Sequence, residues 1–186
     1  GLVPVAIIPL LKDPHYISRY CIGAEGEVAS VAIFSDVPME QIEKIYLDHQ
    51  SRTSVQLARL MVELYWEKEV EWLEANEHYI DKIGGTTAGV IIGDRALVAQ
   101  NRFAYSYDLA TAWKKYTGFP FVFATWVANK PIPEEFIKIF DQYLDPTITS
   151  WHLLEDGNWQ RVNQSNDGKP LQDLHAKMIK LYKELV

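Results

Sequence analysis

Apolar positions along the chain switch between two spacings. Runs rich in β-branched and aromatic residues at 28–35, 44–47, 88–92 and 119–128 predict strands. Between them Val55, Ala58, Met61 and Tyr65, with Leu57, Leu60 and Leu64 beside them, recur at three and four residues and predict an amphipathic helix over 53–68. Further helices are expected at 95–100, around Leu109, Ala112, Trp113 and Tyr116, and over 131–144. Gly118 stands where a left-handed C-cap would end the second of these, and Pro133, Glu134 and Glu135 suit the start of the third. The opening stretch 1–11 reads as a buried strand already under way. Past Leu144 turn residues accumulate, and the pattern predicts a hairpin over 151–162 and a short helix over 171–186. Strands alternating with helices argue an α/β layered fold.

Composition narrows the function. At 186 residues, 48% hydrophobic and 23% charged, the chain can bury a core and lies far from the disordered class. A formal charge of −7 supplies no general field for nucleic acid or an anionic membrane, so neither is expected as a partner, while a local site for a small anion stays open. The one cysteine, Cys21, excludes an internal disulfide, fits a reducing cytoplasm and reads as core filling rather than as a nucleophile. The five histidines are too scattered for a local metal motif, and no metal is expected. Gly84 to Gly89 carries glycines and hydroxyls but precedes a strand, whereas phosphate loops follow one; it reads as a turn.

The richest chemistry lies in Asp48-His49-Gln50-Ser51-Arg52-Thr53-Ser54, between a strand end and a helix start. A helix N-terminus leaves N–H groups unpaired and carries partial positive charge, so Ser51, Thr53 and Ser54 beside it, with Arg52, can cradle a carboxylate or phosphate. A single hydroxyl would serve as an N-cap, and Arg52 could instead face solvent. Asp94, just past the strand at 88–92, either holds a substrate or caps the helix after it.

Four stretches in order resemble the menaquinone-biosynthesis chorismate dehydratase family of the futalosine pathway. They are Gly1-Leu2-Val3-Pro4-Val5-Ala6; 28–35 with Val37-Pro38; Ser51-Arg52-Thr53-Ser54-Val55; and Ile92-Gly93-Asp94 with Trp113, Thr117-Gly118 and 119–124. The resemblance spans residue 1 to about 144. It implies a type II periplasmic-binding-protein-like two-lobed fold with the first lobe incomplete: 1–35 and 125–144 in lobe 1, 36–124 in lobe 2, and 145–186 as an additional hairpin and helix. It also implies removal of water from chorismate, a small dianion, to give 3-[(1-carboxyvinyl)oxy]benzoate without a cofactor.

Carried over by position, Ser30 matches the family serine at the substrate, and Ser51, Thr53 and Ser54 its anion-binding loop. Arg52, Gly93, Asp94 and His49 complete the candidate substrate-binding set, although His49, which adjoins the clamp and could donate a hydrogen bond, reads rather as a solvent-facing loop residue. Two features depart from the family. Its opening strand-helix-strand segment, with a functionally important Asn, has no counterpart, so the chain is expected either to be a fragment of a longer one or to have that place filled by another element or chain, a second copy included. The tail from Trp151 follows another pattern, faintly resembling the end of polyphosphate kinases. The rival reading is a non-catalytic module binding a small carboxylate on the same scaffold.

Overall fold

The computed structural model describes residues 1–143, 150–153, 159–162, 164–165 and 167–171. The chain divides into two compact units, Gly1–Tyr16 with Cys21–Asn129, and Ile17–Tyr20 with Lys130–Val186.

The first unit is built on a five-stranded mixed sheet with the order β5 (Glu71–Glu74), β4 (Lys44–Leu47), β6 (Thr87–Ile92), β3 (Val31–Ser35), β7 (Tyr105–Asp108). β4 runs parallel to β5 and β6, whereas β3 runs antiparallel to β6 and β7. β3 is apolar almost throughout because it is covered on both faces, which removes the alternation a half-solvated strand would show. Ile33 turns to one face, where Ile45 and Val90 meet Leu57 and Ala58 of α1 (Thr53–Leu60), Met61 just after it, and Leu109 and Ala112 of α3 (Leu109–Thr117). Ala32 and Phe34 turn to the other, against Tyr79, Ile83 and the alanines of α2 (Asp94–Ala99). Helices on both faces of a sheet make a layered α/β unit, as the pattern predicts.

A smaller sheet belongs to the same unit, apart from Ile17–Tyr20. β8 (Phe121–Ala128) lies between β1 (Leu2–Pro4) and β2 (His15–Ala24), antiparallel to each. The opening stretch corrects the sequence expectation: only three residues are strand, and Val5–Leu10 then coils into a 3-10 helix. Pro4 and Pro9 cannot donate to a ladder, which explains why an apolar run does not continue as one. Cys21 is also corrected, since it is exposed on β2 instead of filling the core. Pairing of β2 with β8 shifts register between Tyr16 and Cys21, so the residues between them leave the ladder.

The predicted 53–68 helix is α1 followed by a wider turn over Met61–Tyr65, closed by Trp66 N–H donating to Met61 O and ended at Glu67 with φ 49°. Gly118 takes φ 78° at the end of α3, as expected. Gly84 to Thr87 forms a tight turn, each donating its N–H to the other's carbonyl. The predicted boundary at 35/36 falls at the end of β3, inside the five-stranded sheet, and that at 124/125 falls within β8.

In the second unit α4 (Glu134–Tyr143) begins after Pro133, whose carbonyl accepts from Phe136 and Ile137 N–H, and Ser18 donates to Asp141. β9 (Ser150–Leu153) and β10 (Trp159–Val162) pair antiparallel as the predicted hairpin; the turn between them, and the helix predicted at 171–186 from residue 172 on, lie outside the described residues. Among the described residues no helix is long and apolar enough to cross a membrane.

Close packing in the first unit concentrates at Gly89, where a Cβ would run into the side chain of Ile83 and approach Tyr79. Gly89→Ala is expected to cost about 1–3 kcal/mol in chemical denaturation. Ile83→Val removes the obstructing terminal methyl, so the double variant should recover part of that loss. Additive losses would contradict this packing.

Candidate functional site

A cavity of about 670 Å³ in the first unit is lined by most of the residues that the sequence singled out. Its polar wall is the start of α1 with the turn before it, Gln50, Ser51, Arg52, Thr53 and Ser54. Ser30 and Gly93 form a second edge, and Pro4, Ile22, Val28, Val31, Ile92 and Phe123 supply the apolar surface. A volume in this range suits a small molecule held by a few polar groups.

The four hydroxyls of the set have different tasks. Ser51 Oγ accepts from Ser54 N–H at 3.0 Å, satisfying one of the donors a helix start leaves unpaired. Thr53, buried, donates to Phe123 O at 2.9 Å and accepts from Ala6 N–H at 3.4 Å, so its hydroxyl joins α1 to β8 and to the 3-10 segment after β1. Ser54 is only 4% exposed, yet its hydroxyl has no hydrogen-bond partner among the described residues. The Ser54 hydroxyl keeps contact with solvent and is free to meet a ligand oxygen there. Ser30 is half-buried and its hydroxyl is likewise unpartnered among the described residues. Arg52 is exposed at the cavity and has no carboxylate partner among the described residues.

Beneath this wall the sequence concealed an ionic centre. Asp48, 1% exposed, directly follows β4 and accepts from every side. Gln50 N–H reaches Oδ1 at 2.9 Å, Ile92 N–H reaches Oδ2 at 3.2 Å, and Arg95 Nη2 lies 3.0 and 2.8 Å from the two oxygens. Tyr79 shares one phenolic proton between Asp48 Oδ2 at 3.0 Å and Val90 O at 2.6 Å. Burial and the Asp48 charge push the Tyr79 phenol far up, so it stays a donor at any physiological pH. Asp48 therefore ties the turn carrying Gln50 and Ser51 to the end of β6 carrying Ile92 and Gly93.

The Ser30 edge is held by a second carboxylate. Asp108 caps α3 by accepting from Thr111 N–H at 2.7 Å, while its other oxygen accepts from Val28 and Ala29 N–H at 3.0 and 3.1 Å. Ala29 sits at φ 56°, a conformation disfavoured for a residue with a Cβ, and these bonds hold it there. Gly93 N–H donates to Ser30 O at 2.8 Å, and Gly93 itself adopts φ 65° and ψ −150°, a region open to glycine alone.

The structure gathers Ser30, Ser51, Arg52, Thr53, Ser54 and Gly93 around one cavity and leaves two predicted residues outside its lining. His49 is exposed and edge-on to the Tyr79 ring, while Asp94 is exposed at the first position of α2. Neither Asp48 nor Arg95 was marked from the sequence as a site residue. A buried acid after one strand paired with an Arg 47 positions further on, beyond α1, β5 and β6, is visible only once the fold is known. Among the described residues no three metal-ligating side chains converge.

Asp48→Asn leaves Arg95 without its counter-charge and turns an acceptor into a donor among other donors. Arg95 is 31% exposed by its side chain, so the expected loss is at the low end for a broken buried pair, about 3 kcal/mol in urea or guanidinium unfolding. An unchanged midpoint would show that the pair carries no stability.

The hydroxyl-lined helix start, the unpaired arginine and the serine edge occupy the segments through which the sequence resembles a known family. A family model described as menaquinone biosynthesis matches residues 1–154, and the chain belongs to the menaquinone biosynthesis family.

Proposed function

We propose that this chain is a chorismate dehydratase-type lyase, removing water from chorismate to give 3-[(1-carboxyvinyl)oxy]benzoate. The observation that carries the reading is the cavity that brings together the helix start at Ser51–Ser54, where the Ser54 hydroxyl and Arg52 have no partner among the described residues, and Ser30. The mixed order of the five-stranded sheet supports a type II periplasmic-binding-protein-like scaffold, and the cavity's apolar surface suits a six-membered ring.

Chorismate is a dianion, and charge-assisted hydrogen bonds to a carboxylate contribute about 1.5–3 kcal/mol each. In the proposed complex the α1 start, Ser54 and Arg52 hold one carboxylate. A ring proton and the adjacent hydroxyl then leave together as one water, the ring becomes aromatic, and both carboxylates remain charged. Because the product gains aromaticity, the protein's task is to hold the ring in the eliminating geometry and to hydrogen-bond the departing oxygen, the role assigned to Ser30.

Incubation of the chain with chorismate, followed by chromatography, should yield the aromatic ether. Ser30→Ala should lower turnover by at least about tenfold while changing chorismate affinity far less. Binding without any product from the unsubstituted chain would refute the lyase and leave a carboxylate-binding module.

A further inference from the structure

Gln50 lines the cavity at the turn before α1, and its side chain is hydrogen-bonded from behind. Arg95 Nη2 lies 2.9 Å from Gln50 Oε1 and also contacts the Asp48 carboxylate. Guanidinium nitrogens only donate, so the end of the Gln50 amide that meets Arg95 must be its oxygen. The amide cannot flip without setting its NH2 against Arg95. Asp48 in turn fixes Arg95 through both carboxylate oxygens and fixes the Gln50 backbone through its N–H. The Gln50 NH2 group is thus the free end of a three-residue chain that starts in the core, and it has no acceptor among the described residues.

We infer that Gln50 is a ligand-binding residue whose amide NH2, oriented by Arg95 and Asp48, donates to an oxygen of an anionic ligand in this cavity. The inference rests on the proposed site and names the donor that distinguishes a dianion from a monoanion there. Ser54, Arg52 and the helix start meet one carboxylate; Gln50 adds neutral donors beside them, which can bind a second oxygen without adding charge to the wall. A glutamate at this position would keep the oxygen facing Arg95 but would present the ligand with a second carboxylate oxygen in place of NH2.

The test compares the unsubstituted chain with Gln50→Glu and Gln50→Leu by calorimetric titration with chorismate and with shikimate, a hydroxylated ring monocarboxylate. Gln50→Glu should keep the melting temperature, since its Arg95 contact survives, and raise the chorismate Kd at least tenfold, with a smaller rise for shikimate. Gln50→Leu removes the donor without adding charge and should raise the chorismate Kd by a few fold. Product formation is followed separately in the unsubstituted chain, so chorismate that binds but is not dehydrated defeats the proposed reaction while these ratios still decide the role of Gln50. A chorismate Kd within twofold of the unsubstituted value in both variants overturns the inference, as does an unsubstituted chain that binds neither compound.

Discussion

The Asp48 carboxylate is the constraint on which the rest of the site depends. A charge with almost no solvent contact persists only if its lone pairs are filled, and here two backbone N–H groups, a phenol and a guanidinium fill them. Those donors come from separate parts of the chain: the turn after β4, the 3-10 segment at Tyr79, the end of β6 and α2. Satisfying one acid therefore sets the relative positions of two cavity edges. An apolar residue of similar size could pack as well, but it would set no direction for the turn at Gln50.

Asp108 does the corresponding work for the Ser30 edge, joining the α3 cap to the 28–30 loop and holding Ala29 in a conformation costly for any residue but glycine. The two acids lie at strand ends of one sheet, Asp48 following β4 and Asp108 closing β7. The sheet provides rigidity through faces covered by α1 and α3 on one side and by α2 on the other. Structural acids behind the wall leave the wall itself with hydroxyls, amides and Arg52. That division of charge explains how a chain of net charge −7 can present a cavity suited to an anion.

The fold was legible where the pattern was strong. β4, β6, α1 and α3 follow directly from runs of β-branched residues or three-and-four spacing, because each buries a definite face. β5 and β7 passed unseen because they are four-residue edge strands with charged or tyrosine-rich sequences, half-covered at most, whose pairing depends on neighbours remote in sequence. The opening apolar stretch misled because hydrophobicity reports burial, and prolines had already excluded a long ladder. Within the site, hydroxyl spacing located the helix start but could not reveal that Thr53 bonds to β8 or that His49 and Asp94 fall outside the cavity lining. The Asp48–Arg95–Gln50 chain joins residues 47 and 45 positions apart, a separation at which no local motif operates.

The central claim is that the α1 start, with Ser30 and Gly93, is where the anion binds. Amide chemical shifts during titration with chorismate test it residue by residue. The account predicts the largest changes at Gln50, Ser51, Arg52, Thr53 and Ser54, with further changes at Ser30 and Gly93. Changes confined to the surface of α2 around Val98 and Arg102, or none at saturating ligand, would contradict it.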